Sequence, residues 1–127
     1  MNASTLPHSL LVFAGGGLGA VLRFWAGEWV RQFDWGRQFP WATLAINVIG
    51  SFVLGVVATA FAGDDKASWR VLLGTGVCGG FTTFSTFSVE TLQLIEQERY
   101  FAAGGYVAGS VLAGLLGACA GWRLVRG

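Results

Sequence analysis

The sequence predicts an all-α membrane protein, a single domain over residues 1–127 with four transmembrane helices. Three observations carry that prediction. Hydrophobic residues make up 54% of the chain and charged ones only 12%, against about 25% charged in soluble domains. That is too little charge to cover a water-exposed surface, so the bilayer is the expected solvent. The apolar residues also gather into four long segments, approximately 10–31, 41–63, 69–96 and 100–123. No alternation of period two runs through them, which favours helices over barrel strands.

The first segment is apolar from Leu10 to Val30 but for Arg23 and Glu28. The second, from Trp41 to Gly63, holds no charge, and the third is uncharged from Val71 to Val89, where it meets Glu90. The fourth runs from Tyr100 to Trp122, its polar side chains being Tyr100, Tyr106 and Ser110. At about 1.5 Å rise per residue each can cross a hydrocarbon core roughly 30 Å thick. Short connections, Gln32–Pro40, Asp64–Ser68 and Gln97–Arg99, imply antiparallel neighbours in a compact bundle. Trp29, Trp35, Trp41, Trp69 and Trp122 fall near segment ends, as an interfacial aromatic belt requires. The start of the chain lacks the basic stretch and cleavage site of a signal peptide, so the first apolar run is expected to remain in the mature protein.

Charge excludes some functions and leaves orientation open. A net charge of +1 offers no basic patch for nucleic acid, and no nucleotide-binding motif is present. With four spans, Lys66, Arg70, Arg123 and Arg126 lie on one side of the membrane and Arg31, Arg37 and Arg99 on the other. So even a balance sets no single orientation. Insertion both ways round, giving an antiparallel dimer, is one consequence; a weakly biased protein inserted one way is the other. Cys78 and Cys119 lie within apolar stretches and without metal-ligand spacing, which suits small buried residues better than a disulfide.

Polar side chains at membrane depth are costly and need a reason. Thr43, Asn47 and Ser51 share one face of the second span at i, i+4, i+8, and Tyr106 and Ser110 share one face of the fourth. These tracks read equally as a polar line through the bundle or as interhelical glue. In the third span two glycines lead into a Thr/Ser-rich run, Cys78 to Ser88, a poor continuous helix. A mid-membrane break is expected there, with freed carbonyls able to meet a cation and freed amides an anion. Phe84 and Phe87, at i and i+3, could present positive ring edges to an anion, or simply pack in a core. Arg23 either snorkels or attracts anions to a pore mouth. Glu90 could bond donors on a neighbouring helix, while Glu28, Glu96 and Glu98 are expected to be solvated.

The string GGFTTFSTFSVE, from Gly79 to Glu90, closely resembles the signature of the Fluc (CrcB) family of fluoride ion channels. So do GGGLGAVLR ending at Arg23 and TLAIN ending at Asn47. The resemblance covers all four spans. It implies an antiparallel dual-topology homodimer in the bacterial plasma (inner) membrane, with two pores that export fluoride passively. By the same resemblance, Asn47 would donate its amide to fluoride, and Phe84 and Phe87 would offer ring edges. Thr43, Ser85, Thr86, Glu90, Tyr106 and Ser110 would line or support the path, and Arg23 would shape its entrance. The carbonyls of Gly79 and Thr82 would hold one structural sodium ion between the subunits. Ser51 lies outside the family motif and so outside this implied site.

Two other classes fit less well. A small dual-topology proton-coupled multidrug transporter needs a titratable carboxylate deep in a span, and Glu28, near the end of the first, is the candidate there. An intramembrane hydrolase needs a catalytic constellation, whereas the lone His8 precedes the first span, and no catalytic Ser/His pair, paired membrane Asp residues or metal cluster stands within the spans.

Overall fold

A computed structural model describes residues 3–127, and every regular element among them is helical. Helix α1 spans Thr5–Arg31, a short α2 spans Asp34–Gln38, and α3 spans Trp41–Ala60. A 3-10 turn, Asp64–Lys66, leads through α4 (Ala67–Arg70) into a π-helical stretch, Val71–Cys78, continued by α5 (Gly79–Phe81). Helix α6 spans Phe84–Glu96 and α7 spans Tyr100–Arg126. Helices α1, α3 and α7 are long and apolar enough to cross a membrane; α3, with 20 residues, is about 30 Å long.

Helix ends are tied down by identifiable groups. The Arg70 guanidinium donates to the carbonyls of Phe61 (2.7 Å) and Gly63 (3.4 Å) just past α3. Arg37 Nε reaches the Arg31 carbonyl at the end of α1 (3.2 Å). Helix α6 closes with a Schellman turn: Arg99 N–H donates to Leu94 and Glu98 N–H to Ile95, both at 2.9 Å, satisfying carbonyls a helix end leaves open. Glu98 takes the left-handed conformation that this turn demands, at φ 59°. Glu28 is exposed and pairs with Arg31 at 2.7 Å, in line with its expected place near the end of the span.

Packing departs from a simple walk around a bundle of sequence neighbours. The tightest backbone approaches join alternate elements: α1 to the π stretch and α5, and α3 to α7. A Cβ at Gly15 would lie 2.5 Å from the Leu72 carbonyl oxygen, and one at Gly76 3.2 Å from that of Leu11. One at Gly19 would overlap the Val77 carbonyl, and one at Gly80 that of Gly16. On the other pair, a Cβ at Gly117 would lie 3.0 Å from the Val48 carbonyl oxygen, one at Gly55 would overlap the Ala118 carbonyl and one at Gly121 that of Phe52. In both pairs residue numbers rise together, so the partners run parallel. With no hydrophobic force separating helix from lipid, backbone proximity at small residues decides which helices meet. Gly121→Val places a branched side chain against the Phe52 carbonyl and is expected to lower stability by roughly 1–3 kcal/mol. Thermal unfolding of the detergent-solubilised protein measures it, and an unchanged transition would contradict this packing.

Away from those seams the surface is apolar. Phe13, Phe101, Leu116 and Leu124 are exposed, as suits lipid-facing side chains. Buried Leu94, Ala103 and Tyr106 form a small core with Phe39, Leu44, Phe87 and Ala102 around them. Cys78 is buried and Cys119 exposed, and both are free thiols. The aromatic end groups are exposed at helix ends, and Arg126 lies over the Trp122 ring at 4.7 Å.

Candidate functional site at the interrupted helix

The helical path stops at Phe81. Thr82 (φ −80°, ψ 160°) and Thr83 (φ −153°, ψ 115°) are extended, and α6 restarts at Phe84. Thr83 caps that restart: its Oγ1 accepts the Thr86 N–H at 3.2 Å, the N-cap geometry that satisfies an orphan helix donor. The same hydroxyl donates to Thr86 Oγ1 (3.0 Å) and lies 3.3 Å from Ser85 Oγ. Ser85 and Thr86 are thereby gathered around Thr83, which the sequence reading did not select. A threonine immediately before the residue where the helical run resumes is the N-cap signal that marks it.

Asn47, on α3, holds the interruption. Its Nδ2 donates to the Thr83 carbonyl at 3.1 Å, and its Oδ1 accepts the Thr83 N–H at 2.8 Å. The side-chain amide thus pairs with one residue's backbone as a neighbouring strand would. This reciprocal pair sets which way the amide points and leaves its second N–H unused. Gly50, one turn further along α3, gives Thr82 its seat: a Cβ there would overlap the Thr82 methyl.

The pairing has a consequence for carbonyls. In an unbroken helix Thr83 N–H would bond Gly79, and Thr86 N–H would bond Thr82. Here the first goes to Asn47 and the second to Thr83 Oγ1, so the carbonyls of Gly79 and Thr82 lose their helical donors. Thr82 itself bonds Cys78 through both N–H and hydroxyl, each at 2.9 Å. Among the described residues no cluster of His, Cys, Asp or Glu suits a metal, so any cation at the break must rely on such oxygens.

On the other side of Thr83, Glu90 gathers two elements. Oε1 accepts from Thr43 on α3 at 2.9 Å and Oε2 from Tyr106 on α7 at 2.7 Å. Tyr106 is wholly buried and Thr43 nearly so. The Tyr106 ring packs against Phe39 (5.4 Å between centroids, near perpendicular) and Phe87 (5.1 Å). Phe84 lies 5.7 Å from Phe87 and is 79% exposed on the single chain, so it points outward while Phe87 faces in. Ser110 Oγ is buried without a partner, as is Arg23 Nε. Glu90→Ala would leave two buried hydroxyls unpaired, at about 1–3 kcal/mol each. Thermal unfolding of Glu90→Ala is expected to show a clear loss of stability, and Glu90→Gln, which still accepts, a smaller one.

Two cavities flank the interruption. One, about 370 Å³, is lined by Arg23, Thr43, Thr86 and Glu90 among others. The second, about 290 Å³, is lined by Asn47, Ser51, Phe84, Phe87 and Ser110. Every polar residue the sequence singled out for the path touches one of them or is bonded to a residue that does, with Thr83 between the two.

Long apolar helices around two small cavities with polar groups in their walls and an interrupted helix define a multi-pass helical membrane protein. Residues 10–122 match the family model described as CrcB-like protein, Camphor Resistance (CrcB), and the chain belongs to that family. The relative from Oceanobacillus iheyensis, named a fluoride-specific ion channel, is 49% identical over 94% of this chain and 92% of its own. That from Novosphingobium aromaticivorans, 48% identical over 96% of this chain and 98% of its own, carries the same name. So does the one from Rhizobium meliloti, at 45% over 95% and 98%.

Proposed function

We propose that this chain is a fluoride-selective channel that exports fluoride passively and so lowers cytoplasmic fluoride. The single observation carrying the proposal is the Asn47–Thr83 pair, which orients an amide donor beside a cavity at a helix interruption. Full-length relatives named as fluoride channels support the choice of anion. Fluoride is small and strongly hydrated, so its path must supply fixed donors in place of water, firm enough to strip the shell and weak enough to release it. The second N–H of Asn47, the ring edges of Phe84 and Phe87, and the hydroxyls of Thr43, Ser85, Thr86, Tyr106 and Ser110 are such groups or support them. Arg23 supplies positive charge at the mouth of the larger cavity. An inside-negative potential favours anion exit by about 2.3 kcal/mol per 100 mV, so the path requires no energy-coupling partner.

The working unit we infer is an antiparallel dual-topology homodimer with two pores, in the bacterial inner membrane. Four spans are assigned to α1, α3, the discontinuous segment from α4 to α6, and α7, with the break at mid-membrane. The outward-facing Phe84 and the near-even division of basic residues support a facing copy. The undonated carbonyls of Gly79 and Thr82 suit a central sodium ion, since hard cations take oxygen ligands. Two oxygens from one chain are too few, and a second copy doubles the set. When bound, sodium would supply positive charge that fixes the two breaks against each other.

A proton-coupled multidrug transporter finds less support, because Glu28 is exposed and ion-paired rather than deep and free. The test is efflux from proteoliposomes containing the purified protein, followed with a fluoride electrode and no proton gradient. Fluoride release well above protein-free liposomes is expected. Proton-dependent uptake of an organic cation, without fluoride release, would select the transporter instead.

A further inference from the structure

The cavity beside Asn47 contains a hydroxyl that the proposed path does not use. Ser51 lies one turn beyond Asn47 on α3 and lines the same space as Asn47, Phe84, Phe87 and Ser110. A hydroxyl inside an apolar helix ordinarily donates to the carbonyl four residues back. Ser9, Thr59, Thr82, Ser88 and Thr91 all do so, at 2.8–2.9 Å, and among the described residues Ser51 does not. Ser110 Oγ, lining the same cavity, is buried and also without a partner. Leaving two hydroxyls open in apolar surroundings is unfavourable when a local acceptor is within reach. Both open onto one cavity, which points to an acceptor that comes and goes.

The geometry of α7 sharpens this. Tyr106 and Ser110 stand one turn apart, and the next position on that face is Gly114, with no side chain to offer. Ser51 Oγ lies 3.7 Å from where a Cβ at Gly114 would stand. A hydroxyl from α3 therefore occupies the next step of the line that α7 leaves empty. Phe84 and Phe87, on the wall of the same space, add ring edges and no competing acceptor side chain.

We propose that Ser51 is a further fluoride-contacting residue, forming with Ser110 a second donor station one helical turn past Asn47. The proposal rests on the fluoride-channel function above and extends its path along α3. A bare halide leaving the Asn47 amide meets two hydroxyl donors before it must recover water, which lowers the step between amide and solvent.

The test compares fluoride efflux from proteoliposomes for wild type, S51A, S51T and S51V, with thermal unfolding of each in detergent alongside. S51A is expected to slow efflux about fivefold, the worth of one hydrogen bond near 1 kcal/mol, with the unfolding transition little changed. Thr and Val have nearly the same shape and differ in the hydroxyl, so S51T should conduct substantially faster than S51V. That pair also decides the matter if S51A proves unstable. Wild-type rates in both S51A and S51V would overturn the proposal, as would equal impairment of S51T and S51V, which would make shape the cause. Wild-type protein that releases no fluoride at all would instead overturn the channel function, and this inference with it.

Discussion

Asn47→Asp is expected to abolish fluoride efflux, with a loss of at least about 100-fold. Two effects act together. The Asn47 amide donates one N–H to the Thr83 carbonyl at 3.1 Å and keeps the second for the cavity. An aspartate offers neither donor, leaves the Thr83 carbonyl unpaired at about 1–3 kcal/mol, and sets a negative charge on the proposed anion path. Repulsion between two unit charges 4 Å apart is about 4 kcal/mol at the effective dielectric of a protein surface, so charge alone accounts for the predicted loss. Oδ1 still accepts the Thr83 N–H, and the fold is expected to survive. Proteoliposome efflux measures the loss; a variant running within threefold of wild type would remove Asn47 from the path.

Phe84→Ile is expected to slow efflux by at least about tenfold, the equivalent of roughly 1.4 kcal/mol and near the upper end of what aromatic quadrupole interactions contribute. Isoleucine keeps the apolar bulk and loses the positive ring edge. Because Phe84 is 79% exposed on the single chain, its replacement removes one ring contact to Phe87 and leaves the packing of Phe87 and Phe39 on Tyr106 in place. Lost flux with an unchanged unfolding transition would separate ring-edge chemistry from stability. Full flux in Phe84→Ile would make this phenylalanine a packing residue.

Much of the arrangement of the candidate site was legible in the residues, for reasons that can be named. Helical spacing put Thr43, Asn47 and Ser51 on one face of α3, and all three line the cavities flanking Thr83. Glycines followed by hydroxyl residues signalled an interruption, and extended backbone stands at Thr82 and Thr83. Thr83 itself was passed over because its importance lies mainly in its backbone, whose N–H and carbonyl meet Asn47 across 36 positions of sequence. Nothing local to residue 83 announces such a partner. Glu90 could be assigned donors on neighbouring helices, yet that Thr43 and Tyr106 share its two oxygens followed only from the coordinates. Short loops suggested sequence neighbours side by side, whereas the closest seams join parallel alternate helices.

By itself the sequence determined the solvent, the helical class and the family, since these depend on composition, run length and a local motif. Tertiary structure decided which backbone carbonyls lose their helical donors. A helix satisfies its backbone internally wherever it can, so the carbonyls left open are those whose helical donors have been taken elsewhere. Asn47 takes one at Thr83 and Thr83 takes another at Thr86, and that exchange exists only once α3 lies against the interruption.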